Sequence, residues 1–173
     1  LHFYASAAET YRAFTDLGEV WSAVGQRSGR TDVAAHGADL LKIAPRLYQD
    51  LHSSMNKTAN ASASGGHCWA MAAETTQQAT FRGYAELMYS GALTATQVAD
   101  IYSAASGSST CGAKRMLTLG SPGIGGTTIA TPTPYGFAHA LLQVDEPEKF
   151  LLHFFAISAH AYTRGTFTTP ESS

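Results

Sequence analysis

The stretch SAAETYRAFTDLGEVWSAVG, residues 6–25, decides the fold class. Tyr11, Phe14, Leu17, Trp21 and Val24 recur every three or four positions, the spacing of an apolar stripe along an α-helix. Ser6 and Glu9 stand in the relation of a capping box, which predicts a helix start at Ser6. Gly25 is placed to end the helix. Beyond a short polar connection, Asp32 opens a second pattern through Leu40, Leu41, Ala44, Leu47, Tyr48, Leu51 and Met55. Pro45 is expected to kink or split that helix near Ala44. The two patterns predict an antiparallel helical hairpin over residues 1–55.

The rest of the chain repeats this layout. CWAMAAETTQQATFRGYAELMYSG, from Cys68, predicts one long helix to Gly91, and Thr94 and Gln97 form a capping box for a shorter helix to about Ser106. Residues 67–106 therefore make a second hairpin. Residues 107–134 are rich in Gly, Thr, Ser and Pro, with 115–119 and 127–131 expected to pair as a small β ribbon. A third hairpin occupies 135–173: a helix over Tyr135–Val144, then Asp145-Glu-Pro-Glu148, then a helix over 147–162 followed by Gly165. The expected fold is all-α, built of antiparallel hairpins packed side by side. The chain begins at Leu1 and ends at Ser173, and its expected place is within a longer polypeptide.

Composition narrows the function classes. The 173 residues are 45% hydrophobic and only 14% charged, with a net charge of -2. Charged residues usually make up about a quarter of a globular chain, so Ser, Thr, Ala and Gly carry an unusual share of this surface. No cluster of Lys and Arg marks a nucleic-acid surface, and no apolar run approaches the ~20 residues of a membrane span. Asn56-Lys-Thr58 and Asn60-Ala-Ser62 are two N-glycosylation sequons in one polar stretch. Together with the pair Cys68 and Cys111 they point to a secreted, extracellular glycoprotein with glycans on Asn56 or Asn60 and a Cys68–Cys111 disulfide.

Few residues stand out for chemistry. His153, Ile157, His160 and Arg164 share one face of the last helix. Leu151, Phe154, Phe155 and Ser158 form its opposite side and are assigned to the core. A histidine moves a proton near neutral pH, an arginine holds a carboxylate in bidentate geometry, and Glu171 follows beyond the Gly165 turn. His67-Cys68 has no second pair at metal-binding spacing, so neither a metal nor a cofactor is expected. His36 and His139 fit the role of satisfied polar groups in packed helices. Glu74 and Glu86 have structural explanations on their helix. The aromatics Trp21, Trp69, Tyr84, Tyr89, Tyr102 and Tyr135 are assigned mainly to core packing.

The pattern Ala159, His160, Thr163, Arg164, Gly165, Thr166 and Glu171, within GFAHALLQVDEPEKFLLHFFAISAHAYTRGTFTTPES, resembles the C-terminal hairpin of six-hairpin, or (α/α)-toroid, carbohydrate-active proteins. The resemblance covers about 40 residues. It implies part of a toroid whose loops form a sugar-binding cleft, with a polysaccharide or glycan as ligand. The remaining segments of the same polypeptide, or other copies, would complete the ring. In a lyase His160 would be the general base and Arg164 would neutralise a uronate; in a hydrolase Glu171 would be acid or base and His160 would hydrogen-bond the sugar. His153 and Tyr162 would contact substrate. The rival expectation is a non-catalytic extracellular structural glycoprotein that keeps the fold.

Overall fold

The computed structural model describes residues 2–61, 66–74, 81–105, 117–118, 121–124, 128–129 and 134–160. These residues are mostly helical: α1 (Tyr4–Ser28), α2 (Thr31–Thr58), α3 (Phe81–Tyr89), α4 (Ala95–Ala105), α5 (Pro134–Gln143) and α6 (Pro147–His160). Two small sheets interrupt them. β1 (Asn60–Ala61) and β2 (His67–Cys68) pair antiparallel, and β3 (Leu117–Thr118), β4 (Ser121–Ile124) and β5 (Thr128–Ile129) form an antiparallel ribbon.

The first hairpin is present, with its internal logic changed. Small residues, not the apolar stripe, face the partner helix. Gly18 meets Leu41, Ser22 meets Gly37, and Gly25 meets Ala34, an antiparallel register held along the whole contact. A Cβ on Gly37 would lie 2.5 Å from Ser22 N and 2.7 Å from Gly18 O, so the backbones touch where side chains would normally stand. The sequence assigns Gly25 to the end of α1. Instead the helix runs on to Ser28 and stops at Gly29, whose φ of 69° is left-handed. The stripe of Leu17, Trp21 and Val24 lies about a quarter turn from this contact line and is 43%, 40% and 43% exposed. α2 continues unbroken through Pro45, correcting the expected split. Ala44 and Leu51, buried on either side of it, hold both halves of the helix in one packed register.

Ser6 is not the cap of α1. The helix starts at Tyr4, and its first turn is anchored by another segment: Tyr4 N donates to Met71 O (2.9 Å) and Ala73 N donates to His2 O (3.1 Å), around a Phe3–Ala72 bridge. Residues Trp69–Ala72 are buried. Here the predicted long helix from Cys68 fails, because residues 67–74 are not helical; the described helix of this region is α3, Phe81–Tyr89. The backbone of 67–73 finds its partners across the core rather than one turn away. Asp100 accepts from His67 N (3.1 Å) and Trp69 Nε1 (2.9 Å), and Tyr84 OH donates to Trp69 O (2.6 Å).

Tyr4, Leu51 and Met55 at the base of the hairpin pack with Trp69, Met71, Tyr84, Leu87, Ile101 and Phe137 in one core. The Thr94–Gln97 capping box forms as predicted: Gln97 N donates to Thr94 Oγ1 (3.3 Å) and Thr94 N to Gln97 Oε1 (2.9 Å). The Gln97 side chain also reaches Nδ1 of His52 (3.3 Å), whose Nε2 donates to Ala92 O (2.9 Å). α3 does not pair chiefly with α4, as a second hairpin requires; its main partners are α5 and α1. In the ribbon the two expected strand regions do not pair with each other as such. β4 lies between β3 and β5 and pairs with both, since two residues separate β3 from β4 and the shortest closure is entropically cheapest.

α6 is rotated relative to expectation. His153 is fully buried and Ala156 nearly so, while Leu151, Leu152, Phe154 and Phe155 are 48%, 58%, 49% and 64% exposed. The sequence places Leu151, Phe154 and Phe155 in the core. The short connection after α5, with Asp145 at φ 57°, instead turns the His153 face inward, where its ring lies 6.1 Å from that of Phe137.

Candidate functional site

Polar and aromatic groups converge where α1, α3 and α5 meet. Gly136 makes this possible. A side chain there would collide with the backbone of Ala85, so α5 lies directly on α3. That approach sets Tyr135 and His139, one turn apart on α5, against Tyr89 near the end of α3. The Tyr89 and Tyr135 rings meet edge to face at 5.1 Å, and His139 tilts against Tyr89 at 4.8 Å. From α1, the Arg12 guanidinium lies 4.3 Å from the centre of the Tyr89 ring. Its Nη1 donates to Tyr89 O (2.7 Å) and its Nε to Asp16 Oδ2 (3.3 Å).

The surroundings of Tyr135 and His139 favour the neutral form of each. Burial, followed by the negative charges of Glu86 and Glu9, raises the Tyr135 phenol above its ordinary value, so it remains a hydrogen-bond donor. Burial and the neighbouring Arg12 lower His139, favouring the neutral imidazole. The buried Nδ1 of His139 has no hydrogen-bond partner among the described residues. Tyr135 is 47% exposed, and Glu9 and Glu86 are also at the surface. The result is a half-exposed Tyr135 ring set edge to face on Tyr89, which itself carries the His139 imidazole and the Arg12 guanidinium, with the charges of Glu86 and Glu9 nearby. Such a surface can stack a ring and accept and donate hydrogen bonds around it.

No family model, curated protein or solved structure matches this chain.

The residues singled out from sequence lie elsewhere. His153 is enclosed in the core, on the inner face of α6. His160 is the last residue of α6, with its side chain outside the described residues; Tyr162, Arg164 and Glu171 also lie outside them. Asn56 is exposed on the last turn of α2 and Asn60 is exposed on β1. Cys68 is buried on β2, and Cys111 lies outside the described residues. Among the described residues no three His, Cys, Asp or Glu side chains group as a metal site, and no helix is long and apolar enough to cross a membrane.

The Tyr135 cluster escaped the sequence reading because each member had an ordinary explanation. Of the aromatics assigned to packing, Trp69 and Tyr84 are buried, while Trp21 and Tyr135 are not. The usable signal was Tyr135-Gly136 followed by His139: a small residue flanked on one helix face by two ring side chains. Its meaning depended on knowing that α5 packs on α3.

Proposed function

We propose that this chain is a secreted carbohydrate-binding or carbohydrate-processing module of the six-hairpin, (α/α)-toroid kind, with the Tyr135 cluster as a sugar subsite. The observation that carries the reading is the half-exposed Tyr135 ring, set edge to face on Tyr89 with the charges of Glu9 and Glu86 nearby. A pyranose ring offers a C–H face to the aromatic ring and equatorial hydroxyls to the carboxylates. His160, Arg164 and Glu171 are the proposed chemical groups, on the strength of their resemblance to the family pattern. The exposed Asn56 and Asn60 and the buried Cys68 are compatible with export, glycosylation and a Cys68–Cys111 disulfide.

The test is a binding and turnover screen on neutral and uronate-containing polysaccharides. Tyr135→Ala should weaken glycan binding about tenfold or more, the loss of roughly one stacking contact. His160→Ala should leave binding intact and abolish turnover. Unchanged binding by Tyr135→Ala removes the subsite. Binding without turnover in the wild type selects the structural-glycoprotein reading over the enzyme.

A further inference from the structure

Where the glycine contact of the α1–α2 hairpin gives way to tyrosines, the two helices frame a cavity of about 320 Å³. Beyond Gly18 and Leu41 the same antiparallel register sets Thr15 opposite Ala44 and Tyr11 opposite Tyr48, whose ring centres stand 5.2 Å apart. Touching backbones thus give way to a pair of rings, and the cavity occupies the space between these two kinds of contact. Tyr11 and Thr15 line it from α1, and Leu41, Ala44, Pro45 and Tyr48 from α2. The exposed Gln49 completes its edge. Pro45, Gln49 and His52 share one side of α2, and His52 donates to Ala92 O. The cavity therefore lies on the side of the hairpin that carries the rest of the domain.

The lining is apolar, and its inner polar groups are acceptors. Pro45 has no N–H to return to the Leu41 carbonyl one turn before it, so that oxygen lacks its helical donor. The Thr15 hydroxyl donates its proton to Tyr11 O (3.0 Å) and keeps lone pairs that can accept. Among the described residues no charged side chain lines the cavity, so an ion entering it would lose water without gaining a counter-charge. A pyranose would set several hydroxyls against Leu41, Ala44 and Pro45, whose side chains cannot pair with them. A flat ring suits the tyrosine walls better. A cavity of about 150 Å³ holds one benzene ring, so this one has room for two fused rings. We propose that it binds a neutral, fused-ring aromatic molecule carrying one N–H or O–H donor, with the rings against Tyr11 and Tyr48 and the donor on Leu41 O. The site is separate from the Tyr135 surface and does not rest on the sugar reading.

Equilibrium dialysis of indole against the full chain tests the proposal, with N-methylindole as the same rings without the donor. Indole is expected to bind with a Kd on the order of 100 µM, and N-methylindole about fivefold more weakly. Thr15→Leu, at a half-buried helical position, fills the space and should weaken both probes about tenfold or more. Pro45→Ala, at an exposed position, returns a helical donor to Leu41 O and should abolish the preference for indole, whatever it does to the two constants together. Tyr135→Ala should leave both constants unchanged. Absence of indole binding up to about 1 mM overturns the proposal. So does binding that ignores Thr15→Leu, or binding lost with Tyr135→Ala, which would place the rings at the other surface. A preference for indole that survives Pro45→Ala overturns the Leu41 carbonyl as its partner. The Pro45→Ala arm reads a ratio of two probes and does not depend on how Thr15→Leu folds.

Discussion

Replacing Gly37 with alanine sets two effects of opposite sign against each other. In an isolated helix the change is favourable by about 0.8–1.0 kcal/mol, because glycine has more backbone freedom to lose. In this hairpin the new Cβ would stand 2.5 Å from Ser22 N, 2.6 Å from Ser22 Oγ and 2.7 Å from Gly18 O. Ordinary carbon contacts lie at about 3.5–4.0 Å, so α1 would have to move by roughly 1 Å against α2. Two of the three opposing atoms are backbone and cannot rotate away. Overpacking costs about 1–3 kcal/mol, and against backbone that cannot yield the upper part, about 2–3 kcal/mol, applies. Net of the helix-propensity gain, Gly37→Ala should destabilise the fold by about 1–2 kcal/mol, or roughly 2–8 °C in melting temperature for a chain of this size. Urea unfolding followed at 222 nm measures it. Gly18→Ala is the internal comparison: its nearest neighbour is the Leu41 side chain, which can shift, so it should cost less. A stability equal to or above wild type for Gly37→Ala would refute the close helix contact, and with it the rotation that leaves Trp21 bare.

Three further outcomes follow from the described contacts. Asp100→Ala strands the Trp69 Nε1 and His67 amide donors and should cost about 1–3 kcal/mol in the same urea assay; a neutral result would remove this carboxylate as the latch of the 67–73 segment. His139 has a folded value below its unfolded one, so its neutral form stabilises the fold above pH ~6.5 and that contribution fades as pH falls below it. His139→Gln should therefore flatten the melting temperature between about pH 7.5 and 5.5, a window about one unit either side of the ordinary histidine value; an unchanged slope contradicts the burial beside Arg12. Neither Cys68 nor Cys111 should react with a thiol reagent in the native, unreduced protein, and labelling of both would exclude the proposed disulfide.

What the sequence disclosed, and what it hid, follows from locality. Helix existence rests on three- and four-residue periodicity, and α1, α2, α4, α5 and α6 are each visible that way. The Thr94–Gln97 cap uses residues three apart and was equally legible. Four features depended on distant partners. Trp69–Ala72 carries helical composition, yet Asp100, Tyr84 and the first residues of the chain supply its hydrogen bonds. The apolar stripe of α1 is real, but periodicity reports a face without naming what it meets, and the glycines took the inner position. On α6 the same ambiguity inverted His153 and Phe155. The Tyr135 cluster joins three helices and had no local signature beyond Gly136.

The anchoring of α1 by residues 71–73 also bears on the order of events as the chain is made. The α1–α2 hairpin closes on itself within residues 4–58, down to the Tyr4 hydroxyl on Ser54 and Thr58, and can zip as soon as about residue 58 has emerged. Its seat cannot be completed then, because the partners of His2 and Tyr4 are Ala73 and Met71. For that interval a nascent chain displays an assembled pair of helices with a greasy flank and with the backbone of its first turn still waiting for residues 71–73. That is the form a chaperone would meet.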